Sequence, residues 1–160
     1  MTHRTNATAA RLAITTYCAW HARDLLAAWD HNLYDRYGWL VLLAWCLPLF
    51  ISIPAGREEA TARRPAITLM LSALLSTLVG LAGSLNVLQH IGLALALASW
   101  VPFSPLHLLW LLAAICWMPA FGWIGSRLFA EHILPARVLL VVTFSGGFAA
   151  NRVNSRRGHP

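Results

Sequence analysis

The sequence predicts an all-α protein: a polytopic membrane helical bundle with four to five transmembrane helices and an N-terminal amphipathic helix. Three observations lead there. Hydrophobic residues make up 58% of the 160-residue chain, against roughly 45–50% in soluble domains. Charged residues make up only 11%, less than half the usual share of about 25%. Long apolar runs alternate with short breaks rich in proline, glycine and arginine, as in chains that cross a bilayer repeatedly.

The elements follow in order. Over residues 1–36, Ile14, Cys18, Ala22, Leu25, Trp29 and Leu33 recur at helical spacing, with Arg23, Asp24, Asp30 and His31 elsewhere round the helix. This pattern predicts an amphipathic helix on the membrane or on the bundle. The segment carries charges throughout and no apolar run of signal-peptide type, so it is read as part of the protein. Tyr37 to Ile53 is uncharged and forms candidate span 1, with Trp39 as an interfacial anchor and Pro48 as a kink. The stretch PAGREEATARRP (54–65) is the clearest hydrophilic loop, and Pro65 suits the first turn of the next helix.

Ala66 to Ser84 is candidate span 2. Thr68, Ser72, Ser76, Gly80 and Ser84 repeat every fourth residue along it and are read as a small-residue packing stripe, which in lipid lets a second backbone approach closely. A turn is predicted near Leu85–Val87, followed by span 3 to Trp100, because one helix over 66–101 would be about 54 Å long and a bilayer core is about 30 Å thick. The run Val101-Pro102-Phe103-Ser104-Pro105 reads as a turn with Ser104 as N-cap and Pro105 at the first helical position. Span 4 then runs from Leu106 to about Phe121, ended or kinked by Pro119. Residues 122–132 mix Trp123 and Phe129 with Arg127 and Glu131, an interfacial composition. Ile133 to Ala150 is a fifth, weaker span, with Arg137 near its start and Gly146-Gly147 in its second half. Residues 37–150 thus form the transmembrane domain and 151–160 a basic tail.

All 12 basic residues are arginine, against 6 acidic residues, for a net charge of +6. Arginine-only usage fits GC-rich coding, and the setting expected is the inner (cytoplasmic) membrane of a bacterium, crossed several times. The arginines are scattered between apolar runs, so the partners expected are the lipid bilayer and another membrane protein or a second copy, not nucleic acid. With five spans the arginines divide equally between the two sides, and the positive-inside rule selects no orientation.

Few residues offer chemistry. Asn86, Gln89 and His90 form an uncharged polar cluster on one helix face and are the candidate polar site, read either as a site near a membrane surface or as a helix-capping turn or interhelical hydrogen-bonding group. His90 and His107 invite a bis-histidine haem, but both stand near the N-terminal ends of consecutive antiparallel helices, toward opposite membrane faces. No cofactor or metal is therefore assigned. The three cysteines show no Cys-x-x-Cys pair and no zinc-ligand spacing. Cys46 and Cys116 sit in apolar context and read as inert thiols, whereas Cys18, near His21 and Arg11, is the better candidate for exposure. Asp30, His31, Asp35 and Arg36 crowd the entry to span 1 and read as a solvated collar. No P-loop, Gly-x-Ser-x-Gly or His-Glu-x-x-His motif occurs.

The entry Tyr34-Asp35-Arg36-Tyr37-Gly38-Trp39-Leu40-Val41, the arginine-bearing loop from Arg57 to Arg64 and the helix Gln89-His90-Ile91-Gly92-Leu93-Ala94-Leu95-Ala96-Leu97 resemble exosortase/archaeosortase membrane proteins over residues 29–121. That family cleaves C-terminal sorting signals with a cysteine in an Ala-Cys-Ser/Thr-Gly-like motif. Here Leu-Pro follows Cys46 and Trp-Met-Pro follows Cys116, so no catalytic residue is carried over, and the resemblance implies a non-catalytic half or a degenerate relative. The functional expectation is a non-catalytic scaffold or accessory subunit of a membrane assembly. An exosortase-like transpeptidase is the first alternative, and a haem- or quinone-binding anchor the second.

Overall fold

Proline and glycine positions set most of the helix boundaries. The computed structural model describes residues 2–33, 35–52, 60–104, 106–129 and 132–157, and among these every regular element is helical. The order is α1 (Thr2–His21), α2 (Asp24–His31), α3 (Gly38–Trp45), α4 (Leu47–Ser52), α5 (Ala60–Ala82), α6 (Asn86–Ala98), α7 (His107–Leu112), a 3-10 stretch (Ala113–Trp117), α8 (Pro119–Phe129) and α9 (Ile133–Arg157). The chain divides into two compact units. One comprises Met1–Leu26 with Gly56–Phe103, the other Ala27–Ala55 with Ser104–Pro160.

In the first unit α5 and α6 form an antiparallel hairpin with α1 packed on both. Ser84 closes α5 in the left-handed region (φ 54°), and the N–H groups of Gly83 and Leu85 turn back to Val79 O and Gly80 O. This is how a helix satisfies its last carbonyls before a reversal. The helices approach closely because small residues face each other. A Cβ on Gly92 would overlap Thr77 Oγ1 and lie 2.9 Å from Ala73 O, and one on Gly80 would lie 2.9 Å from Gln89 Cγ. Ser76 Oγ adds a 2.8 Å hydrogen bond to Leu88 O. On α1, Cys18 Sγ is wedged against α5, accepting from Thr77 Oγ1 at 3.3 Å.

In the second unit a tryptophan cluster joins α3 to α7 and to the 3-10 stretch after it. Leu49 N–H bonds to Cys46 O rather than Trp45 O, beside Pro48, which has no N–H. The freed Trp45 carbonyl accepts Trp110 Nε1–H at 2.8 Å, and Trp45 Nε1–H donates to Trp110 O at 2.7 Å. The two indoles stack at 4.4 Å, with Trp117 edge-on to Trp45. Trp29 Nε1–H donates to Trp117 O at 3.1 Å and lies across the start of α3, where a Cβ on Gly38 would overlap its indole.

Several boundaries differ from the sequence reading. The N-terminal segment is two helices broken at Ala22–Arg23, and Leu33, past the end of α2, is exposed while Cys18, Ala22, Leu25 and Trp29 are buried. Candidate span 1 is two short helices meeting at Cys46, since Pro48 interrupts the α-helical ladder. Of the loop 54–65, residues 54–59 lie outside the described residues, but α5 begins at Ala60 and carries Pro65 inside it. The α5–α6 turn falls at 83–85, slightly before its predicted place. Ser104 supplies its backbone carbonyl to His107 N–H, not a side-chain cap, and Pro105 lies outside the described residues. Span 4 stops at Trp117, where Met118 is extended, and Pro119 opens α8 instead. The basic tail is helical to Arg157, as a continuation of α9.

Two helical stretches among the described residues, Arg64–Ala82 and Ile133–Asn151, are long and apolar enough to cross a membrane. A third results if His107–Trp117 and Pro119–Phe129, bent by 83°, act together. Gly38–Phe50 and Asn86–Ala98 are apolar but shorter.

Candidate functional site: a buried aspartate–arginine pair

The only charged side chain described within the Ile133–Asn151 stretch is Arg137, and it is 1% exposed. A guanidinium there needs a counter-charge, because a lone ion in a low-dielectric interior costs several kcal/mol (roughly) even after relaxation. Asp35, fully buried, provides it: Arg137 Nη2 donates to Asp35 Oδ1.

The sequence places Asp35 there through a tight turn between α2 and α3. Asp35 N–H bonds to Asn32 O at 3.0 Å, and Gly38 N–H returns to Asp35 O at 2.7 Å. Asn32 Nδ2 donates to Asp35 Oδ2 at 2.8 Å, so both carboxylate oxygens are engaged. Space for the carboxylate comes from α8, where a Cβ on Gly122 would overlap it. Phe121, one residue earlier, presents its ring 5.3 Å from Arg137 Cζ. Burial pushes the Asp35 carboxyl above its ordinary value, opposed by the hydrogen bond and charge of Arg137. Arg137 Nε is buried without a hydrogen-bond partner among the described residues.

The first unit holds a second polar pair. His90, 2% exposed, sets Nε2 at 3.1 Å from both oxygens of the half-buried Asp24 carboxylate. With Nε2 as the donor, Nδ1 is left as an acceptor, buried with no partner among the described residues. Of the candidate polar site, Gln89 is also buried, against Gly80, whereas Asn86 is exposed at the first turn of α6. The cluster is therefore divided: Gln89 serves helix packing and His90 meets an aspartate that the sequence reading had set on the polar face.

The stripe on α5 is divided too. Gly80 and Ser76 meet α6, Ser72 is half-buried, Thr68 is exposed with its hydroxyl turned to Arg64 O, and Ser84 lies in the turn. Steps of four residues drift by about 40° each at 3.6 residues per turn, so Thr68 and Gly80 point about 120° apart. The face that is buried runs instead through Ala66, Ala73, Thr77 and Gly80.

Cys18, expected to be the more exposed thiol, is fully buried, because it lies on the apolar face of α1. Burial raises its pKa, partly offset by the Thr77 hydrogen bond. Cys116 is buried and Cys46 half-buried. In the collar before α3, Asp30, His31 and Arg36 are exposed, and Asp35 alone turns inward. His107 packs edge-on against Trp110 and Phe148. Among the described residues no group of three or more potential metal ligands occurs. No family model, curated protein or solved structure matches the chain.

Proposed function

We propose that the protein is a multi-pass component of a bacterial inner membrane and acts there as a non-catalytic scaffold or accessory subunit of a larger assembly. One observation carries the reading. The outward faces of the long helices are apolar, with Ile67, Leu71, Leu75, Leu78 and Val79 on α5 and Val138, Leu139 and Val142 on α9. Three polar pairs are instead turned inward, Asp35 with Arg137, Asp24 with His90 and Thr77 with Cys18. Such a chain presents lipid or a membrane partner with surface rather than with reactive groups.

In this reading α5 and α9 cross the bilayer. The α3–α4 and α6 segments bring the number of crossings to four, and the His107–Trp117 stretch would make a fifth, short one. Asn86–Ala98 is about 20 Å long at 1.5 Å per residue, so it requires local thinning or a neighbouring helix. An exosortase-like mechanism requires a thiol that meets a peptide, and the burial of Cys116 and half-burial of Cys46 weigh toward the non-catalytic reading.

The test is purification of the C-terminally tagged protein from bacterial membranes in mild detergent. A polytopic partner in stoichiometric amount is the expected result. A monodisperse, partner-free protein, with a protein-sorting phenotype abolished by Cys46→Ala or Cys116→Ala, would overturn the proposal in favour of the enzyme.

A further inference from the structure

Helix α8 is turned 83° from the His107–Trp117 stretch before it. Its 11 residues are about 16 Å long, and at that angle they add only about 2 Å along the preceding axis. Helix α8 therefore extends no crossing. One side of it is buried through Phe121, Gly122 and Gly125. The other side is exposed through Trp123, Ile124, Arg127 and Leu128, with Trp123 at 66% and Leu128 at 71%.

That outer face has a specific chemistry. The guanidinium of Arg127 stacks on the Trp123 indole at 4.7 Å. A guanidinium held over a ring by its charge still has N–H groups in the fork geometry that grips a phosphate. No carboxylate pairs with Arg127 among the described residues. Around the pair the surface is apolar, as a helix at the boundary between headgroups and acyl chains needs to be. The same unit recurs at the end of α1, where Arg23 stacks on the exposed Trp20 at 4.9 Å beside exposed Leu26. Tryptophan and arginine together mark the interfacial belt, where the indole sits among the headgroups and the cation meets anionic lipid.

We propose that α8 is an in-plane interfacial helix whose Trp123–Arg127 pair binds the phosphate of an anionic phospholipid in the bilayer. This rests on the membrane reading above and adds to it a lipid class and a binding face.

The full-length protein is reconstituted in phosphatidylcholine vesicles containing phosphatidylglycerol. A bimane fluorophore is attached at Leu128→Cys or at Ile124→Cys, with the unsubstituted protein as background. Bromine carried on phosphatidylglycerol should quench the Leu128→Cys label about fivefold more, per mole, than bromine on phosphatidylcholine. Adding Arg127→Gln should bring that ratio to about one. The two labels should lie at the same shallow depth, whereas a helix along the membrane normal would separate them by about 6 Å. Equal quenching by both lipids with Arg127 in place, a depth difference of that size, or no quenching by either lipid would overturn the proposal. A label at Leu75→Cys on α5 separates the two levels of failure. If it is quenched by deep bromines while the α8 labels fail, only the lipid-binding proposal falls, and if it is not, the membrane reading falls with it.

Discussion

Asp35 and Arg137 stand 102 positions apart in the chain, and each makes the other's burial tolerable. Removing one charge leaves the other buried alone, which typically costs about 3–5 kcal/mol. Asp35→Asn and Arg137→Gln should therefore each lower stability by about that amount, read as the midpoint of unfolding in a denaturing-detergent titration. The double variant should recover most of the loss, because a neutral amide pair leaves no lone ion. Additive losses in the double variant would show that the two side chains act separately. Little of this pair was legible beforehand. An arginine inside an apolar helix signals a buried counter-ion, but the six acidic residues gave no way to choose among them. Asp35 looked like its solvated neighbours Asp30 and Arg36, and only the Asn32–Gly38 turn directs it inward. His90 was legible as a polar residue on an apolar helix. Its partner Asp24 was not, since the periodicity set it on the polar face of one continuous N-terminal helix.

At the scale of elements, helix packing depends on which glycines are in contact. A Cβ at Gly122 meets the Asp35 carboxylate, and one at Gly92 meets Thr77, whereas Gly146 and Gly147 on α9 have nothing within 4 Å of that position. Gly122→Ala and Gly92→Ala should each destabilise by about 1–3 kcal/mol through overpacking. Gly146→Ala should be neutral or stabilising by up to about 1 kcal/mol through helix propensity. The same detergent titration checks all of them, and a loss at Gly146→Ala equal to that at Gly122→Ala would contradict the packing described. Amphipathic periodicity was legible here: Cys18, Ala22, Leu25 and Trp29 all fall on buried faces. It failed at Leu33, because helical spacing continues in the sequence after α2 has ended at His31. Spacing by fours misled along α5, since drift over several turns carries the stripe off its face while small residues at three- and four-residue steps stay on it. The reciprocal Trp45–Trp110 bonds had no local signal, because they pair an indole on each helix with a carbonyl on the other, 65 positions apart.

For the molecule as a whole, composition identified the class more surely than it counted the spans. Apolar content, low charge and helical periodicity pointed to an all-helical membrane chain, with four to five spans expected where two or three helices among the described residues are suited to crossing. The breaks at Cys46 and Met118 were signalled by Pro48 and Pro119, although apolar residues continue through them. The central claim is that α5 crosses the bilayer, its stretch Arg64–Ala82 being about 28 Å long against a core of about 30 Å. The most direct measurement is labelling with a membrane-impermeant maleimide in sealed vesicles of one orientation, using Arg64→Cys at the start of that stretch and Asn86→Cys just past its end, at the first residue of α6. The account predicts that one position is labelled from outside and the other only after the vesicles are opened. Labelling of both positions from the same side would contradict it.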